Sequence, residues 1–223
     1  MSRHLQRDLE DLEQELLAMS ARVDEMLSLA CRALAERRGD LAAEAMQADV
    51  DVDQQEVHIE EVCLKILALH QPVANDLRLV TAVLKINNDL ERIADLAVNM
   101  AERAARLATH PEFTAPPVIS KMAQQASSMV RDSIDAFVRL DVRQARNIIA
   151  RDTEVDDQYH RLLDELYGTM VKDPRQIKAA LHCYGIVRGV ERIADHATNI
   201  AEDVVYLVEG EIARHKHQPN NPQ

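Results

Sequence analysis

Apolar side chains recur along this chain at spacings of three and four residues over long stretches, the period of one helix face rather than the alternation of a strand. From Leu5 to Arg38 the pattern contains no Gly or Pro, and Gly39-Asp40 then interrupts it, which predicts one long helix stopped at that glycine. A second run extends from Leu41 to about Leu69 and is broken by Gln71-Pro72, and a third continues from Val73 to Leu107. Residues 109–117 carry three of the seven prolines and no periodicity, as a linker between structural units does. Helical periodicity returns over 118–140, 142–171 and 174–209, with Asp173-Pro174 reading as an N-cap followed by proline at the first helical position.

The second half repeats the first. Glu91-Arg92-Ile93-Ala94-Asp95 recurs as Glu191-Arg192-Ile193-Ala194-Asp195 at an offset of 100, and the match continues through Asn99 with Asn199 and Ala101-Glu102 with Ala201-Glu202. Asp49, Val52 and Asp53 correspond to Asp152, Val155 and Asp156 at an offset of 103, the difference falling in the turn between the second and third helices of each unit. The expected fold class is all-α, two tandem three-helix bundles related by an approximate internal twofold. Residues 1–108 form the first bundle, 109–117 the linker, 118–212 the second bundle and 213–223 a flexible tail.

Composition agrees with helices and narrows the functions. Only 3% of residues are aromatic and five are glycine, in a background of straight-chain and small residues that lose little freedom in a helix. A formal net charge of -12 repels phosphodiester backbones, so no nucleic-acid partner is expected. Cys31, Cys63 and Cys183 are odd in number and widely separated, consistent with free thiols and a cytoplasmic protein. The first fifteen residues lack the apolar core of a secretory signal, and no segment has the length of uncharged chain that a membrane span needs.

At 100° per residue, Glu91, Asp95, Asn99 and Glu102 share one stripe, with Asn88 in the same sector, opposite Leu90, Ile93, Ala94, Ala97 and Met100. Glu191, Asp195, Asn199 and Glu202 repeat that arrangement, and Asp49 with Asp53 and Asp152 with Asp156 add pairs one turn apart on the second helix of each unit. Side-by-side packing of the second and third helices would bring four carboxylates together in each unit. Like charges at that spacing repel by a few tenths of a kcal/mol each, and a bound cation offsets the repulsion. Hard oxygen donors suit Mg, Ca, Mn and iron. The plainer alternative is a solvated acidic face on a helical scaffold.

A carboxylate-bridged metal store or metalloenzyme is the rival function, but the Glu-x-x-His pairs of di-iron bundles are missing; Asp157-x-x-His160 has the spacing in one copy only. His58, His182 and His196 are scattered and read as surface or satisfied histidines. No glycine-rich phosphate loop, partnered nucleophile or nucleophile elbow is present, so the chain reads as no enzyme, and no phosphate site is evident.

The doubled Glu-Arg-Ile-Ala-Asp motif, with Gln71-Pro72-Val73-Ala74-Asn75-Asp76-Leu77-Arg78 before its first copy, resembles the PhoU family of bacterial phosphate regulators from about Leu9 to Glu209. The resemblance implies a cytoplasmic, often homodimeric adaptor that negatively regulates phosphate uptake and phosphate-starvation signalling. Its implied partners are a phosphate-sensing histidine kinase (PhoR-like) and the ATPase of the phosphate ABC transporter (PstB-like). Some members hold multinuclear iron or zinc clusters on Glu/Asp-x-x-x-Asp motifs. Carried over, the metal positions are Asp49, Asp53, Glu91 and Asp95 in one half and Asp152, Asp156, Glu191 and Asp195 in the other, for iron, zinc or another divalent metal. The second copy departs where Asp76-Leu77-Arg78 becomes Gln176-Ile177-Lys178 and Asn88 becomes Arg188. A guanidinium beside Glu191 stands where a cation would, which makes the first copy the stronger expected site.

Overall fold

Six long helices follow the predicted periodicity in the computed structural model, which describes residues 3–210. They are α1 (Arg3–Glu36), α2 (Asp40–His70), α3 (Ala74–Ala108), α4 (Val118–Arg139), α5 (Val142–Lys172) and α6 (Ile177–Glu209), and no strand occurs among the described residues. The expected tail at 213–223 lies outside the described residues. None of these helices is long and apolar enough to cross a membrane.

Helices α1, α2 and α3 pack on one another, as do α4, α5 and α6, and the two bundles meet where α3 lies along α6 and α1 touches α4. The α3–α6 pairing is antiparallel: Lys85, early in α3, reaches Asp203, late in α6, while Arg103, late in α3, lies over Gly185, early in α6. The stripe of Ile86, Leu90, Ile93, Ala97 and Met100 is buried, as is its repeat at Ile186, Val190, Ile193, Ala197 and Ile200. Burial of such side chains is worth about 25 cal/mol per Å² of apolar surface, which is the main force aligning the helices. One continuous apolar core runs through both bundles. All three cysteines are free, with Cys63 and Cys183 inside that core.

Two local expectations change. The glycine at 39 does not stop α1; Gly39 has φ of -70° and caps the start of α2, while Arg37 takes the left-handed conformation at φ 54°. The cause is the way the last carbonyls of α1 are satisfied, with the Arg38 N–H donating to the Ala33 carbonyl at 3.2 Å, a closure that needs its preceding residue left-handed. Residues 109–117 connect α3 to α4, but Phe113 among them is 1% exposed and plugs into the common core, its carbonyl accepting from Arg37. At the other predicted cap, the Asp173 side chain accepts from the Arg175 N–H at 3.1 Å; the first turn, Pro174–Gln176, is 3-10 and leads into α6.

Leu140 ends α4 in the same manner as Arg37 ends α1, at φ 51° with the Asp141 N–H donating to the Ala136 carbonyl. A left-handed leucine costs about 1–2 kcal/mol that glycine does not. Half of the Leu140 side chain is exposed, so little packing is lost by removing it. Leu140→Gly is expected to raise stability by about 0.5–1 kcal/mol in urea denaturation; a lower midpoint at unchanged slope would contradict this account of the cap.

Candidate functional site

The seam between α2 and α3 gathers the first carboxylate set. Asp49 and Asp53 stand one turn apart on α2, and Glu91 and Asp95 one turn apart on α3. Their mutual influence is visible in the acidities. Burial holds the Asp49 carboxyl above its usual range, and the charges of Asp53 and Asp95 push it further. Burial also raises Glu91, with Asp95, Glu56 and Asp53 adding to the effect and Arg92 opposing it. Arg92 spans the α3 pair, its Nε 3.3 Å from Glu91 and its Nη1 3.6 Å from Asp95. Asp49 Oδ1 is buried without a hydrogen-bond donor. Glu91 Oε2 is likewise buried without one, so the first set contains an internal cation and two oxygens without a hydrogen-bond donor.

The second set, on α5 and α6, converges more tightly. One carboxylate oxygen each from Asp152, Asp156 and Asp195 lie within 4.8 Å of one another, the sole such group of three or more among the described residues. Burial, followed by Asp156, Glu191 and Glu202, pushes the Asp152 carboxyl up to about 6. Burial, followed by Glu191, Asp152 and Asp156, pushes Asp195 up to about 7. Glu191 is raised by burial and by Asp156 even though Arg188 and Arg192 oppose the shift. The closer convergence of carboxylates thus lies in the copy that carries Arg188. Neither Arg188 nor Arg192 comes within 4.0 Å of a carboxylate among the described residues, whereas Arg92 of the first copy does.

All eight carboxylates singled out in the sequence lie on these two seams, and the closest convergence belongs to Asp152, Asp156 and Asp195. Three hard oxygens at that separation fit a divalent cation with oxygen preference, and no histidine competes for the position. His160 Nδ1 lies 2.8 Å from the Asp156 carbonyl rather than from a carboxylate. His196 is paired 2.8 Å from Asp89 Oδ1 and lowers the adjoining Asp195 only through its charge, and His58 is exposed.

Sequence reasoning passed over two buried acids that join the bundles. Asp89, bonded to His196 and Asn199, and Asp203, 2% exposed and bonded to Lys85 Nζ at 2.9 Å, both cross the α3–α6 seam. The signal was present: each acid sits on its helix's apolar stripe, Asp89 three residues after Ile86, and Asp203 three after Ile200 and four before Leu207. A carboxylate at a core position needs a partner, because an uncompensated buried charge costs several kcal/mol.

The raised pKa values give a pH dependence. Between about pH 4 and 7 the folded chain keeps protons on Asp152 and Asp195 that the unfolded chain has released, so their contribution favours the folded state in acid and fades as pH rises through 6 and 7. Chelator-treated protein is expected to melt at a higher temperature at pH 5.5 than at pH 8, and Asp195→Asn to flatten that difference. An identical slope in the variant would show that the set does not carry the effect.

Comparison with known proteins agrees with the doubled architecture. A family model described as PhoU domain matches twice, over residues 16–104 and 119–204. The phosphate-specific transport system accessory protein PhoU homolog of Aquifex aeolicus is 41% identical, covering 95% of this chain and 96% of that protein. The phosphate-specific transport system accessory protein PhoU of Escherichia coli is 33% identical over 93% of this chain and 86% of its own. The crystal structure of PhoU from Pseudomonas aeruginosa superposes with a TM-score of 0.89 at 39% identity, covering 92% of this chain and 99% of that one. That of the phosphate transport system regulatory protein PhoU from Streptococcus pneumoniae gives 0.87 at 31%, covering 93% and 98%. With both halves matched and relatives this similar over nearly the whole length, the chain belongs to the PhoU family.

Proposed function

We propose that this protein is an accessory regulator of phosphate transport that restrains both phosphate uptake and the phosphate-starvation response when phosphate is plentiful. The observation that carries the reading is likeness over almost the entire chain to proteins named as phosphate-specific transport system accessory proteins, at 33–41% identity. An adaptor needs surfaces, and here the α2–α3 and α5–α6 seams offer two acidic faces of similar layout but different charge balance. In this reading the protein contacts the transporter's ATPase and a sensor histidine kinase, and the two faces allow the two partners to be told apart. The α5–α6 set holds a divalent cation through Asp152, Asp156 and Asp195, with Glu191 beside them; the α2–α3 set, where Arg92 supplies a resident cation, holds one less strongly.

Deleting the gene is expected to derepress alkaline phosphatase in phosphate-rich medium, and repression at the wild-type level in the deletion strain would overturn the regulatory reading. The metal reading is tested separately. Elemental analysis of gently purified protein should find iron, zinc or another divalent metal, most of it lost in an Asp152→Asn, Asp195→Asn double variant that keeps its helical circular dichroism. Equal metal content in variant and parent would remove those residues as ligands.

A further inference from the structure

A cleft of about 250 Å³ opens between α1 and α4, on the side of the molecule where the two bundles touch without the α3–α6 seam. Its polar wall is made of Ser28, Arg32, Gln124, Ser127 and Arg131, and its other two lining residues are Cys31 and Ala35. No carboxylate is among its lining residues; the nearest acid is Asp24, which pairs with Arg131 at its edge and acts on Cys31. On this chain of net charge -12, two other clefts carry Glu13 and Asp76, or Asp8, Asp11 and Glu15.

The hydrogen-bond inventory of the wall is one of spare donors. Arg131 uses Nη1 on Asp24 Oδ1 and on Ser127 Oγ, both at 2.8 Å, which fixes the guanidinium at the cleft and leaves its Nε and Nη2 hydrogens uncommitted. Ser127 is buried and accepts from Arg131, so its own hydroxyl hydrogen remains free to donate. Among the described residues Arg32 makes only an exposed contact with Glu36, at 3.5 Å, of the kind that contributes little and yields readily to a better partner. Ser28 and the Gln124 amide add a hydroxyl and an N–H₂. Two guanidinium forks, two hydroxyls and an amide around one space match a tetrahedral oxyanion, because such groups donate along several directions at once and charge-assisted bonds to phosphate oxygens are the strong ones.

We propose that the α1–α4 cleft binds the phosphate dianion, with Arg32 and Arg131 holding its oxygens and Ser28, Ser127 and Gln124 completing the shell. The dianion comes either as the free ion or as the terminal phosphate of a nucleotide. A ligand there touches both bundles, so its binding energy bears on how α1 and α4 sit together. The inference stands on the donors of the cleft and extends the regulatory reading by giving it a place where phosphate itself is read.

The test is equilibrium dialysis of the full chain against labelled inorganic phosphate, with ATP titrated in parallel. Saturable binding of one equivalent with a dissociation constant of about 1 mM or below is expected. Arg32→Gln should weaken it at least about tenfold through loss of a charge-assisted donor, and Ser28→Asp, which sets a carboxylate at the mouth, should abolish it. Both positions are exposed, and an unchanged melting temperature in each variant shows that the fold is intact. Tighter phosphate than ATP assigns the free ion and tighter ATP the nucleotide, in either case with the same sensitivity to the two substitutions. Absence of saturable binding, or binding unaltered by Ser28→Asp, overturns the site. Failure here with derepression intact in the deletion strain removes the cleft alone, whereas normal repression in that strain removes the regulatory reading and leaves the binding result standing.

Discussion

The antiparallel contact between α3 and α6 is the constraint on which the rest of the molecule depends. Each of these helices belongs to its own bundle and also carries one half of the interface between bundles, so each must be apolar over a wide arc. Alanines at 94, 97, 101 and 104 on α3 and at 194, 197 and 201 on α6 are all buried, and small residues of this kind let two backbones lie close. Both ends of the contact are closed by a cation from α3. At one end Lys85 meets the buried Asp203; at the repeat-related end Arg103 lies where a side chain at Gly185 would otherwise stand, its guanidinium within 2.4 Å of the place a Cβ would occupy. The internal repeat is therefore not a copy at its own seam. The duplication supplies the helices, and the differences between Lys85 and Gly185 and between Arg103 and Asp203 make the two halves fit each other.

That seam dictates where the carboxylates go. With one face of α3 committed to α6 and the adjoining arc to α1 and α2, Glu91 and Asp95 fall at the edge of the α2 contact, half out of water and beside Asp49 and Asp53. The same reasoning places Glu191 and Asp195 against Asp152 and Asp156. Partial burial of several like charges is unfavourable unless something compensates, and the two copies compensate differently. Arg92 bridges Glu91 and Asp95 in the first. In the second, Arg188 and Arg192 oppose the shift at Glu191 without an ion pair among the described residues, and Asp152 and Asp195 are pushed up to about 6 and about 7.

Much of this was legible in the sequence because it depends on period. The helices begin and end within a few residues of where the apolar spacing changes, and the buried sides of α3 and α6 are those opposite the acidic stripe. The pairing of second with third helices followed from the repeat, and with it the membership of both carboxylate sets. What the sequence could not convey was the distance between side chains on different helices. Arg188 beside Glu191 reads as a neutralising partner along the chain, yet it forms no ion pair among the described residues, while the motif arginine, Arg92 and Arg192 in the two copies, does so only in the first. Which rotamer an arginine takes is set by packing around it, and that information is not local. The stop of α1 failed for a related reason: glycine marks a left-handed position only where the hydrogen bonds of the helix end call for one, and here they fell two residues earlier.

The difference between the two sets has a chemical consequence. A cation approaching the first must displace Arg92 or share oxygens with it. A cation taken up by the second, as proposed above, would meet Asp195 pushed up to about 7 and Asp152 to about 6, so its binding would release protons and strengthen as pH rises. Proton and proposed cation would compete for the same oxygens on α5 and α6, because either relieves the same repulsion. The second face thus carries a charge that depends on its surroundings, while the first carries one largely fixed by its own arginine. Two faces built from one motif thus differ in their electrostatics alone, without any change in the helices that present them, which is the property the proposed adaptor role would use.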